Sequence, residues 1–192
     1  MNSKTVAYAR SRLRVIGAFA AVLAWGTGIV EFGGNVLLWV FEKAQVQSAY
    51  LQSFGENMPL LLAPDYQPSH LALGLVIGLE LIPASLSAFA LYLTGLFFLR
   101  LSRGETWTTQ NIKMLWWVGL LCIGLPMVWP MIGTLQGLAF SIDLPKGERS
   151  FSVSIGVSSQ AVYEIMKGIF LCAFSLLMRD AKTISDEHNC YV

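Results

Sequence analysis

Four apolar runs dominate the chain, and they constrain its fold more than any other feature. The first extends from Val15 to Phe41, the second from Leu71 to Leu99, the third from Ile112 to Phe140 and the shorter fourth from Ala161 to Met178. At 1.5 Å per residue the first alone is roughly 40 Å long as a helix, against a hydrocarbon core of about 30 Å, so it must tilt, bend or project. Gly26, Gly28, Gly33 and Gly34 offer places for a bend. Of the 192 residues 55% are hydrophobic and only 13% charged, too apolar a mixture for a short chain to hide in one water-soluble core. The expectation is an all-α integral membrane protein, a four-transmembrane-helix bundle forming one membrane domain over 1–192, with helices about 13–41, 71–100, 110–139 and 159–179. High hydrophobicity and low charge exclude disorder, and a net charge of +1 leaves no basic footprint for nucleic acid. The first run has a basic start but is too long for the apolar stretch of a signal peptide, and no small-residue cleavage site closes it, so it is expected to stay as a helix.

Lys and Arg set the expected orientation. Lys4, Arg10, Arg12 and Arg14 precede the first run; Arg100, Arg103 and Lys113 lie between the second and third; Arg179 and Lys182 follow the fourth. The opposite side carries Lys43, Lys146 and Arg149. Both termini are therefore expected in the cytoplasm, with outer loops 42–70 and 140–158 and a cytoplasmic tail 180–192. In the first loop Val46, Ala49, Tyr50 and Phe54 recur at helical spacing and predict a short interfacial helix. Three prolines then predict an irregular stretch before His70. In the second loop Pro145–Glu148 reads as a turn between two alternating segments, Phe140–Leu144 and Ser150–Val157, which suggests a β-hairpin.

The short link between the second and third runs contains Gly104, Glu105, Trp107, Thr108, Asn111, Leu115 and Gly119. This spacing resembles the signature of the DUF2975 family, small bacterial four-helix membrane proteins of uncharacterised function, with Trp107 where Phe is usual. The tail is similar as well: Asp186, Glu187 and the terminal Val192 match the family's acidic ending, while Tyr191 and Cys190 depart from it. The resemblance implies a four-helix fold, residence in the bacterial inner (cytoplasmic) membrane and a regulatory or accessory role, since members are often encoded beside small helix-turn-helix regulators. It supplies no catalytic residue. Read without the family, the same link is a capped interhelical turn. Gly104 permits a tight turn, Thr108 or Thr109 caps the next helix, and Glu105 pairs with Arg100 or Arg103. Binding of a partner or ligand at this link is the sharper alternative.

Charge inside the apolar runs is the most informative feature for function. Glu31, Glu80, Glu164 and Lys167 stand on three different helices at similar depth, and Asn35 follows Glu31 by one turn. A charged group at mid-membrane costs about 3 kcal/mol on insertion scales, so these side chains are expected to face inward and satisfy one another. Glu164 and Lys167, at i and i+3, share a helix face, and Glu31 and Glu80 would compete for the same ammonium. The group reads either as an interhelical polar clamp or as a site for a cation, a proton or a ligand amine, and a carboxyl turned to a partner's Lys or Arg is a third reading. Gly74/Gly78 and Gly133/Gly137 form GxxxG pairs that suit close helix approach, within the chain or at an oligomer face. Pro126 and Pro130 are expected to kink the third helix.

The residues offer no nucleophile–base pair, phosphate loop or bis-histidine haem site. His70 and His188 lie far apart, and Cys122, Cys172 and Cys190 form no CxxC motif. No metal, cofactor or catalytic residue is expected, and an enzyme is the least favoured class. The first expectation is a non-enzymatic accessory or regulatory protein that binds another membrane protein, or itself, among membrane lipids. The second is a subunit of a small oligomeric transporter or channel using Glu31, Glu80, Glu164 and Lys167. A membrane sensor with ligand-binding outer loops is the third.

Overall fold

The computed structural model describes residues 3–56, 58–105, 108–145, 149 and 158–190, with side chains from residue 12 to residue 187. Four long helices carry the four apolar runs: α1 (Ser3–Phe41), α3 (His70–Ser102), α4 (Thr109–Ser141) and α5 (Ser159–Cys190). The short α2 (Lys43–Gly55) and a 3-10 turn over Pro59–Leu62 lie between α1 and α3. Each long helix contains an apolar stretch sufficient to cross a bilayer. Glycines and prolines within these stretches leave the helices continuous. Pro83, Pro126 and Pro130 all sit inside helices.

Consecutive long helices pack antiparallel. Asn35, near the end of α1, meets Glu80, near the start of α3. A Cβ on Gly17, near the start of α1, would come within 2.8 Å of the Phe98 carbonyl near the end of α3. The pairings are α1 on α3, α3 on α4 and α4 on α5, and α1 and α5 make no comparable interface. The four helices therefore form a row with one open side.

Close approach depends on glycines other than the GxxxG pairs. A Cβ on Gly119 of α4 would lie 2.6 Å from Cys172 Sγ and 2.9 Å from the Gly168 carbonyl of α5. One on Gly168 would lie 2.6 Å from the Gly119 carbonyl. Gly95 of α3 leaves room for the Trp25 indole of α1. Gly74, Gly78 and Gly133 face open space, and Gly137 only touches Phe54 and Met58, so the GxxxG spacing does not mark helix crossings within this chain.

The better-buried core gathers at the end where α1 stops and α3 begins, here the α2 end. Trp39, Met58, Leu61, Leu73, Val76, Ala139, Phe140 and Leu144 form it, and Val46, Tyr50 and Phe54 of α2 pack onto it. Trp39, Tyr50, Phe54 and Phe140 follow one another at ring-centroid distances of 5.7, 6.3 and 5.7 Å. The expected interfacial helix thus exists, but its apolar stripe covers the bundle end, while Ala49 is exposed. The expected strand over Phe140–Leu144 is instead the end of α4 followed by a turn. Arg149 secures that turn by donating to the Leu144 and Ile142 carbonyls at 3.1 and 2.9 Å. The second expected strand, Ser150–Val157, lies outside the described residues. The stretch expected as tail continues α5 as helix to Cys190.

Candidate functional site

The intramembrane polar residues form two sites rather than one. The first is centred on Glu80. Asn35 Nδ2 donates to Glu80 Oε1 at 2.8 Å, and Trp39 Nε1 donates to Glu80 Oε2 at 2.8 Å. Asn35 and Trp39 are four residues apart on α1, so both can address the same point on α3. The Tyr50 phenol of α2 lies close to this carboxyl group and is raised well above 10.0, first by burial and then by Glu80. Gln136 of α4 lies against Tyr50 and donates to the Val76 carbonyl at 3.4 Å. Two uncharged donors of α1 thus hold one carboxyl of α3, with the Tyr50 phenol of α2 beside it and no lysine among them. Asn35 Oδ1 is the one buried acceptor left without a partner here.

The second site is a cleft of about 690 Å³ lined from all four long helices. Glu31 of α1 and Glu164 of α5 both face it, with Cys122, Pro126 and Pro130 of α4 on one wall. Lys167 Nζ donates to Glu164 Oε1 at 2.6 Å, and Gln160 Nε2 donates to the same oxygen at 3.1 Å. Glu31 is exposed and has no hydrogen-bond or ion-pair partner among the described residues. Helix geometry explains the divergence from Asn35. Each step of four residues rotates the helix face by roughly 40°, so Glu31 falls beside the stripe that Asn35 and Trp39 turn towards α3. Each proline removes an N–H, which frees the carbonyls of Cys122 and Pro126, both on this wall. The cleft therefore presents two carboxyl groups in a largely apolar lining, and Lys167 meets it only through its ion pair with Glu164.

The interhelical link behaves as a capped turn. Gly104 has φ +85°, a left-handed conformation suited to glycine. Thr108 is the N-cap of α4, and its hydroxyl accepts from Asn111 N at 3.3 Å. The buried Asn111 side chain donates back to the Glu105 carbonyl, which closes the turn. Glu105 lies 4.0 Å from Arg100 Nε. Trp107, Tyr191 and Val192 lie outside the described residues. At the α2 end, Tyr66 donates to the Phe140 carbonyl at 3.0 Å, and burial together with Asp143 pushes its phenol up to about 12.

The sequence singled out Glu31, Asn35, Glu80, Glu164 and Lys167. The structure joins Asn35 to Glu80, joins Glu164 to Lys167, and brings Glu31 to the second pair's cleft alone. The expected competition of Glu80 for the ammonium does not arise, because Glu80 sits on the α1–α3 seam and Lys167 is on α5. Trp39 and Tyr50 were missed as members of the site. Their signal was spacing: Trp39 follows Asn35 by one turn, and Tyr50 lies in the apolar stripe of α2.

Long apolar helices with charge at membrane depth define the class: this is an all-α, multi-pass membrane protein. Comparison with family models, characterised proteins and solved structures gives no match. Among the described residues no three His, Cys, Asp or Glu side chains come together as a metal would require.

Proposed function

We propose that this chain is a non-enzymatic accessory or regulatory protein of the bacterial inner membrane, with both termini cytoplasmic, that works by holding a partner membrane protein against its open side between α1 and α5. The observation that carries this reading is Glu31, an exposed carboxyl group at membrane depth without a donor among the described residues. Lipid tails offer it nothing, whereas a Lys, Arg or other donor on a partner helix would satisfy it. Leu38, two turns further on the same face of α1, is 49% exposed and adds apolar contact surface beside it. The resemblance to DUF2975 and the excess of Lys and Arg at the opposite end support the localisation and orientation. The test is photo-crosslinking from Leu38, on the same face as Glu31, in native membranes, followed by purification in mild detergent. One protein adduct in stoichiometric amount, reduced by Glu31→Gln, is the expected result. Crosslinks to lipid alone, with recovery of a monomer, would contradict it.

A second reading, a subunit of an oligomeric transporter or channel, is favoured by the cleft itself, because Glu31, Glu164 and both prolines line one volume. It predicts cation flux in liposomes that Glu31→Gln or Glu164→Gln alters, and parent protein without flux would remove it.

A further inference from the structure

The α4–α5 crossing at Gly119 and Gly168 has the cleft of Glu31 and Glu164 on one side and a second cavity, of about 470 Å³, on the other. This second cavity is basic. Lys113 of α4 and Arg179 and Lys182 of α5 line it, over an apolar floor that includes Ile112 and Leu176, beside the Trp116 and Trp117 indoles. Arg179 lies twenty residues beyond Ser159, roughly 30 Å of helix, about one hydrocarbon thickness. The charged end of the cavity therefore falls at the membrane boundary opposite α2, where indole rings are favoured.

Charge balance narrows the occupant. Arg179 Nε is 3.7 Å from Asp180, and Lys182 Nζ is 2.5 Å from Asp186. Lys113 has no carboxyl partner among the described residues and is exposed, so the cavity carries one cation in excess. Thr109, the first residue of α4, also lines it and brings a hydroxyl and the positive end of the helix dipole. Ser175 is committed elsewhere, since its hydroxyl donates to the Ile112 carbonyl at 2.9 Å and fixes the cavity wall. A single negative charge with several acceptor oxygens, attached to apolar chains, matches every part of this lining.

The geometry points to a headgroup site for a monoanionic phospholipid of the phosphatidylglycerol type, in the α4–α5 cavity, with Lys113 and Arg179 on the phosphodiester and the acyl chains along Trp116 and Trp117. A zwitterionic headgroup brings a second cation into a cavity already in positive excess and fits less well. This inference concerns the other end of the molecule from Glu31 and stands independently of partner binding.

The full-length protein, purified in mild detergent, tests it by native mass spectrometry with phosphatidylglycerol, phosphatidylcholine or inorganic phosphate added separately. Phosphatidylglycerol is expected to bind in preference to phosphatidylcholine. Lys113→Gln and Arg179→Gln are each expected to weaken that binding about fivefold. Arg103→Gln, a charge at the same end but outside the cavity, should leave it unchanged. Melting of each variant without lipid establishes that it is folded, and if one fails to fold the other still decides. Equal binding of both lipids, equal loss with Arg103→Gln, or saturation by inorganic phosphate alone would overturn the site.

Discussion

Glu80 and Glu31 enter the apolar region on neighbouring helices, each ten residues from the α2 end, yet they meet opposite surroundings. Glu80 accepts from Asn35 and Trp39, which ties α1 to α3, and the Tyr50 phenol of α2 lies beside it. Glu31 has no such donors among the described residues and faces a cleft shared with Glu164. A half-buried carboxyl with both oxygens engaged by the protein stiffens the fold and has less left for a ligand. One that looks into a cavity keeps that capacity for something else. Depth and residue type therefore do not distinguish a structural acid from a binding one, but its donors do.

The sharpest way to break this contrast is Glu80→Leu. It strands the Asn35 and Trp39 N–H groups, and should cost about 3 kcal/mol in reversible unfolding from detergent. Glu31→Leu, by the same measurement, should leave stability unchanged or raise it. Next in size comes the contrast between glycines. Gly168→Ala should cost about 2 kcal/mol, because its Cβ meets the Gly119 carbonyl and Ile123, while Gly133→Ala should be close to neutral. Trp39→Phe keeps the ring but removes one donor to Glu80, with an expected loss of about 1 kcal/mol. The smallest effect concerns pH. The Tyr66 phenol is raised from 10.0 to about 12 in the fold. Its contribution is complete below 10.0 and is lost as pH rises towards about 12, because the unfolded chain releases the proton first. Tyrosinate absorbance followed alongside unfolding should show that loss diminished in Tyr66→Phe.

Much of the architecture was legible because the bilayer imposes it. Runs such as Leu71–Leu99 leave few alternatives to a membrane helix, and Thr108 and Gly104 announce the turn between α3 and α4 by local chemistry alone. The site was legible only as a set of residues. Periodicity placed Glu31, Glu80 and Glu164 at similar depth, but which helices adjoin is a tertiary fact, and the row α1–α3–α4–α5 separates Glu80 from Lys167. The true crossing glycines were hidden for the same reason. Gly119 and Gly168 are far apart in sequence and acquire meaning only when α4 meets α5, whereas Gly74 and Gly78 form a motif that faces open space. The basic cavity was likewise scattered: Lys113 and Arg179 served only to orient the chain until the two helices brought them together.

The most direct test compares Glu80→Ala with Glu31→Ala in thermal unfolding under one set of detergent conditions. Removing the carboxyl at position 80 leaves the Asn35 and Trp39 N–H groups without their acceptor, so that variant should melt well below the parent, while the Glu31 variant should melt with it. Equal destabilisation of the two, or a neutral Glu80→Ala, would contradict the division of these acids into one that holds the fold and one that faces a binding cleft.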